Sequence, residues 1–329
     1  MAHTLHPRAL ILLATVLGLC VASAPANVAW TRVEGLMAAV ETPFQWSDGS
    51  LSLDLVMQQA KLLSAQNVRY VLVAGTTGES VKMTVEEREA LTEAWVEAGR
   101  THSLAVYVHV GAEAQQDAMR LARHAGALAV SGVVSMAPSF FKPADPAVLV
   151  EWLAPIAAQA AHLPFYYYHI PVVNNLGFSA ADILQAADGH ISNLFGVKFT
   201  DWNLLDFQLV TAFRDQKYDV LFGKDEVMLG ALALGCRGFI GSTYNFNGKL
   251  MNNVIADFRS GNMTGAQQQQ RVEAEMVGLY SQYPNKAIDK AIIRLKFGLD
   301  LGPPRLPSLP MTADEEASLS RQLKALGLL

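Results

Sequence analysis

Short apolar runs alternate along this chain with longer segments whose apolar residues recur every three or four positions. Runs of the first kind predict strands and segments of the second kind predict amphipathic helices. Leu36 to Thr42 (LMAAVET) predicts a strand ended by Pro43, and Leu53 to Ser64 predicts a helix. Tyr70 to Ala74 (YVLVA) stops at Gly75, and a helix from Glu86 to Gly99 follows with Thr84 as a candidate N-cap. The alternation continues with strand Leu104 to Val110, helix Glu113 to Ala125, strand Gly132 to Met136 and helix Ala147 to Ala161. Pro155 is expected to kink that last helix. Phe165 to Ile170, Leu194 to Phe199, Val220 to Phe222 and Gly238 to Gly241 predict strands five to eight, with helices between, such as one begun by Ser179.

Alternating strands and helices imply parallel βαβ units. Eight units fit a closed (β/α)8 TIM barrel over residues 34–260. An open doubly wound sheet competes, but it usually carries a glycine-rich phosphate loop after its first strand. Here the first strand ends in Thr42-Pro43-Phe44. Residues 261–329 predict a helical extension packed on the barrel, with helices at 266–280, 286–297 and 312–326 and a rigid spacer at Gly302 to Pro307 (GPPRLP).

The first residues break the pattern. Ala9 to Ala22 is almost wholly apolar, follows Arg8, and precedes the small residues Ala24-Pro25-Ala26. This is the layout of a secretory signal, so residues 1–26 are expected to be a cleaved leader. The stretch is short for a bilayer span, which takes roughly 20 residues. The expected location is the secretory pathway if the leader works, and the cytoplasm otherwise. With Cys20 in the leader, Cys236 is the single cysteine of the mature chain, so no internal disulfide can form.

Composition adds limits. Apolar residues make up 51% and charged residues 17%, which excludes a disordered chain and predicts a large core. The net charge of −5 and the lack of a basic run argue against a nucleic-acid partner. No stable membrane association is expected once the leader is gone.

In a barrel of this kind chemistry sits at the C-terminal ends of the strands. Lys198 lies in the apolar run of strand six. An ammonium inside a barrel is costly unless paired or neutralised, and the neutral amine is the form that attacks a ketone. The competing reading is a strand-end lysine reaching solvent. Strand five carries Tyr166, Tyr167 and Tyr168, and alternation sends Tyr166 and Tyr168 to one face. Tyr168 could exchange a proton at the barrel mouth, whereas most strand aromatics simply pack. Gly75-Thr76-Thr77-Gly78 could cradle an anion or form an ordinary turn. Asp225 and Glu226 end strand seven, suited to sugar hydroxyls or to a helix N-terminus. No His or Cys cluster supports a metal there. His109 reads as a core residue, and His169 points away from Tyr168.

Together these strings resemble the N-acetylneuraminate lyase branch of the pyruvate-dependent class I aldolase superfamily. The matching strings are Thr42-Pro43-Phe44, Gly75-Thr76-Thr77-Gly78-Glu79, Tyr166 to Pro171, Gly196-Val197-Lys198 and Gly241-Ser242-Thr243-Tyr244-Asn245. The GPPRLP segment is similar to that of animal-type members. The resemblance implies an imine between Lys198 and the substrate ketone, and proton transfer by Tyr168. It implies carboxylate binding by Thr76 and Thr77, with the Thr76 hydroxyl near the Tyr168 phenol. Thr200, Gly223, Asp225, Glu226 and Ser242 would line the path of a polyhydroxy chain, with Gly241 giving backbone contacts. It implies a sialic acid cleaved to pyruvate and an amino sugar, no metal or organic cofactor, and a homotetramer.

Two departures argue against a dihydrodipicolinate synthase. The residues after Pro171 are Val172-Val173-Asn174-Asn175, with no arginine, and the loop after strand four reads Ser139-Phe140-Phe141-Lys142, with no tyrosine. Residues 172–177 also depart from the lyases' usual Ala-Leu-Thr/Ser-Gly pattern. An aldolase for another 2-keto-3-deoxy sugar acid and a non-catalytic barrel remain the alternatives.

Overall fold

The computed structural model describes residues 30–329, so the expected leader lies outside the described residues. The strands are β1 (Gly35–Ala39), β2 (Tyr70–Val73), β3 (Ala105–His109), β4 (Gly132–Met136), β5 (Phe165–His169), β6 (Leu194–Phe199), β7 (Asp219–Phe222) and β8 (Gly238–Gly241). Between them run α1 (Asp54–Ala65), α2 (Val85–His102), α3 (Gln115–Ala127), α4 (Pro146–Ala158), α5 (Pro171–Asn174), α6 (Ala180–Ala187), α7 (Leu204–Gln216) and α8 (Met228–Ala233). After β8 come α9 (Tyr244–Ser260), α10 (Met263–Gly278), α11 (Ile288–Phe297) and α12 (Ala313–Ala325).

All eight strands are parallel, and β8 pairs back onto β1 from Gly35↔Gly238 to Ala38↔Gly241, closing the barrel. Alternation then divides the side chains. Met37, Leu72, Tyr107, Val134, Tyr166, Leu221 and Ile240 fill the interior, while Val71, Val106, Val133, Tyr167 and Phe239 pack outward under the helices. Tyr166 and Tyr168 thus face inward and Tyr167 outward, as strand periodicity requires. Near the barrel floor Tyr166 donates its hydroxyl proton to Asp219 at 2.8 Å, and the Val33 N–H donates to the same oxygen at 3.0 Å.

Helix starts follow from local chemistry. Thr84 accepts from the Glu87 N–H while Glu87 accepts from the Thr84 N–H, a capping box that satisfies two otherwise orphaned donors. Thr312 and Glu315 do the same for α12, and Ser179 caps α6 through the Asp182 N–H. Helix α4 runs through Pro155 and stops at Ala158, short of the expected Ala161.

The last three helices pack on α9 at the β8–β1 side of the barrel. Phe246, Met276, Ile292, Ile293, Leu319 and Leu323 form their shared core. Glu273 of α10 is wholly buried there, accepting from Asn247 Nδ2 at 2.8 Å through Oε2. Its Oε1 has no partner among the described residues, and burial pushes its pKa up to about 8. A carboxyl so raised holds its proton in the folded chain at pH values where the unfolded chain, with a pKa of about 4.3, has lost it. Stability is therefore full below that unfolded value and is lost as pH rises toward 8, by on the order of 4 kcal/mol across the window. Glu273→Gln keeps the shape without the charge. Its melting temperature relative to wild type is expected to rise by several degrees between pH 5 and pH 8.5. A difference that stays flat across that range would show that Glu273 does not titrate there.

Candidate active site

The C-terminal ends of the strands surround a cavity of about 260 Å³. Lys198, Tyr168, Thr76, Thr77, Thr200, Gly223, Asp225, Glu226, Gly241 and Ser242 all line it. The structure thus brings every sequence-derived site residue to one place, although they come from five βα segments.

Lys198 owes its place to register. Tyr168 on β5 is the Cα partner of Lys198 on β6, so their side chains enter the barrel side by side. The lysine is 4% exposed, and its Nζ lies 3.9 Å from the centroid of the Tyr168 ring. The ring face is an electron-rich surface that accommodates a cation without a carboxylate partner. The competing reading of Lys198 as a strand-end lysine reaching solvent does not hold, because the side chain is buried against that ring. The Tyr168 hydroxyl sits 3.4 Å from the Thr76 Oγ1.

The loop carrying Thr76 is held in a strained shape. Ala74 and Glu79 flank it at φ +53° and +57°, a region that non-glycine residues seldom occupy. Hydrogen bonds overdetermine that shape: Ser80 N–H to Gly75 O, Glu79 N–H to Thr76 O, and the Thr42 hydroxyl to Gly78 O at 2.6 Å. The Glu79 carboxylate is pinned by Lys82 at 3.0 Å, by Lys290 at 3.3 Å and by the Arg305 N–H at 2.9 Å. Strain of this kind persists only where the surroundings enforce it.

On the opposite wall, Asp225 is buried and its Oδ2 accepts from the Thr243 N–H and hydroxyl at 3.1 and 2.7 Å. Among the described residues, its Oδ1 has no partner, and neither does the Thr200 Oγ1. Burial raises the pKa of both Asp225 and Glu226. Glu226 is the more accessible of the two. The acidic pair opens a short turn, Asp225–Val227, so one residue is a structural anchor and the other faces the opening. Two close approaches demand glycine. A Cβ at Gly223 would lie 2.2 Å from the Thr200 Oγ1, and one at Gly241 would lie 1.6 Å from the Asp225 Oδ1.

The histidines stay out of the cavity wall. His109 is buried with its Nδ1 3.0 Å from the Ala74 carbonyl, and burial drives its pKa well below the usual value. His169 stacks on Phe199 and faces Asp201 and Asp206, each at 3.9 Å. Among the described residues, no group of three or more His, Cys, Asp and Glu side chains is arranged to hold a metal ion.

This layout matches known proteins over nearly the whole chain. The model of the dihydrodipicolinate synthetase family matches residues 32–326. The chain belongs to that family. Within it, the chain is 34% identical to N-acetylneuraminate lyase of Danio rerio, covering 89% of this chain and 96% of that protein. It is 35% identical to N-acetylneuraminate lyase of Homo sapiens, covering 91% and 94% respectively. The solved structure of Proteus mirabilis N-acetylneuraminate lyase superposes with a TM-score of 0.86 at 34% identity, covering 91% of this chain and all of that one.

Sequence reading missed three residues near the site. Glu41 sits just beyond β1, Tyr280 follows α10, and Asp289 opens α11. All three line a second cavity that adjoins the first. Glu41 could have been found, because it is the one charged residue in the LMAAVET run and lies at a strand end, where polar residues carry chemistry. Tyr280 and Asp289 lie in the extension, and no local pattern announces that its helices reach the barrel mouth.

Proposed function

We propose that this chain is a Schiff-base class I aldolase that reversibly cleaves N-acetylneuraminate to pyruvate and N-acetylmannosamine. The observation that carries this reading is the Lys198 amine, enclosed in the barrel mouth against the Tyr168 ring with the Thr76 hydroxyl beside the phenol. The likeness to N-acetylneuraminate lyases over about nine-tenths of the chain supports the substrate class.

Each group has a part in the chemistry. Neutral Lys198 attacks the C2 ketone, the Tyr168 phenol gives up its proton as water leaves, and the products are a protonated imine and a Tyr168 phenolate, the base for the next step. That cation accepts the electron pair of the C3–C4 bond as it breaks. Tyr168 takes the proton from the C4 hydroxyl, which becomes the aldehyde of the amino sugar. The enamine left on Lys198 is protonated at C3 and hydrolysed to pyruvate and free lysine. Thr76 and Thr77 hold the carboxylate, while Thr200, Asp225, Glu226 and Ser242 hold the hydroxyl chain over Gly223 and Gly241. The partnerless oxygens of Thr200 and Asp225 are suited to that work, since a buried polar atom without a partner is costly until a ligand supplies one.

Incubation with pyruvate and borohydride tests the imine, because reduction freezes it as a secondary amine. A single adduct, mapped by mass spectrometry to the peptide carrying Lys198, is expected. A wild-type protein that forms no adduct there would sink the imine mechanism. Cleavage of N-acetylneuraminate compared with a 2-keto-3-deoxy sugar acid then ranks the substrates. We also infer a homotetramer, from the family likeness, and passage through the secretory pathway, from the apolar stretch at residues 9–22. Sedimentation and sequencing of the mature N-terminus test these two.

A further inference from the structure

The cavity around Lys198 measures about 260 Å³, below the roughly 300–1,000 Å³ usual for small-molecule sites. A larger cavity of about 440 Å³ adjoins it, and the two share Thr76, Thr77 and Tyr280 in their walls. The second cavity fills a gap in the ring of polar residues at the barrel mouth. β8 contributes Ser242 and the segment after β2 contributes Thr76 and Thr77, and between them stands Glu41, just beyond β1.

The chamber holds charged groups of both signs, but their engagement differs. Lys82 is fully occupied by Glu79, the Arg305 carbonyl and the Ser308 hydroxyl at 3.0, 2.9 and 2.7 Å. Lys286 pairs with Glu315 at 3.2 Å and with the Pro310 carbonyl at 3.3 Å. Glu41 is only 6% exposed and faces the chamber, and no hydrogen bond stabilises its carboxylate among the described residues. Asp289 accepts from the Tyr280 phenol through one oxygen, and the Ser242 hydroxyl approaches the same carboxyl. The free polar capacity of the chamber is therefore that of two carboxyl groups. Burial raises both pKa values; no donor offsets it at Glu41, while at Asp289 the Tyr280 and Ser242 hydroxyls offset only part of it.

Resting on the aldolase reading above, we propose that this chamber is an extension of the substrate site in which Glu41 and Asp289 accept hydrogen bonds from the hydroxyl-bearing part of the substrate. Asp289 also orients Ser242 and Tyr280 at the passage between the two cavities. The helical extension, and not the barrel alone, thus selects the substrate. Polyhydroxy chains gain partners in the chamber, and chains ending in a second carboxylate meet two acids there.

Glu41→Leu and Asp289→Asn test this by steady-state kinetics with N-acetylneuraminate and by borohydride trapping with pyruvate. Glu41→Leu removes a buried carboxyl without donors and so relieves a desolvation cost, and Asp289→Asn keeps an acceptor oxygen for the Tyr280 hydroxyl, so both variants are expected to fold. Each is expected to raise KM for N-acetylneuraminate about tenfold or more, the usual consequence of losing a hydrogen bond to a charged group, with kcat within about threefold. Pyruvate trapping at Lys198 is expected to match wild type, because pyruvate carries no hydroxyl chain. A KM within twofold of wild type in both variants, with trapping intact, would overturn the chamber assignment and leave the imine mechanism standing. Failure of the wild-type protein to trap pyruvate would instead remove the aldolase reading itself.

Discussion

Lys198→Ala is expected to abolish cleavage of N-acetylneuraminate, lowering kcat by at least about 10⁴-fold, while the barrel stays folded. Losing a covalent nucleophile removes the whole reaction path, and such losses commonly reach about 10⁴- to 10⁶-fold. Folding should survive for a physical reason. Lys198 is buried with a ring face, and not a carboxylate, as its nearest partner. Lys198 has no direct ion pair with a carboxylate among the described residues, and its loss removes only a longer-range attraction to the buried Asp225, so the full cost of breaking a buried ion pair does not arise. The methylene stem leaves a small void next to an existing cavity, where water can enter. The measurement is a coupled assay for pyruvate release alongside thermal melting. Turnover within tenfold of wild type would refute the imine assignment. Lost turnover with a melting temperature lower by more than about 10 °C would show that Lys198 serves the fold as much as the chemistry.

Lys198 is more legible in the sequence than its surroundings, and the reason is physical. A lysine inside LFGVKF is conspicuous because apolar strands leave no solvated place for an ammonium. Strand boundaries were legible for the same reason: apolar runs of four to six residues between glycines and prolines have few other structures open to them, and β4, β6 and β8 fall where periodicity puts them. The Lys198–Tyr168 pairing was not legible, because it depends on the β5–β6 register, which carries an irregularity at Phe165 and Tyr166. The inward direction of Tyr168 was legible, since alternation alone decides it. The acids behind the site were hidden for two separate reasons. Glu41 reads as the polar end of a strand until its neighbours are known. Asp289 stands 248 positions further along, on a helix whose own pattern shows only that one face is apolar.

Gly241→Ala is expected to lower kcat/KM for N-acetylneuraminate at least about 100-fold with Lys198 still in place. The added methyl would stand 1.6 Å from the Asp225 Oδ1 and 2.1 Å from its Cγ, far inside any permitted contact. Something must move, and each way out is blocked. Asp225 is a short buried side chain whose other oxygen is held by the Thr243 N–H and hydroxyl at 3.1 and 2.7 Å. β8 cannot withdraw easily, because Gly241 pairs with Ala38 in the seam that closes the barrel. Overpacking of a rigid interior typically costs about 1–3 kcal/mol. Breaking hydrogen bonds to a buried carboxylate adds about 1.5–3 kcal/mol for each. The melting temperature should therefore fall by several degrees. Activity should suffer more, since Asp225 stands on the wall facing the hydroxyl chain, and a shift of about 1 Å in a positioning group can cost about 100-fold. The informative contrast is between two assays of the same variant. Pyruvate should still be trapped on Lys198, because that step needs Lys198, Tyr168 and the Thr76–Thr77 loop and not the β7–β8 wall, while kcat/KM for N-acetylneuraminate should fall at least about 100-fold. A variant with near-normal kcat/KM would mean that the β7–β8 wall yields without consequence, and that Asp225 does not hold the substrate.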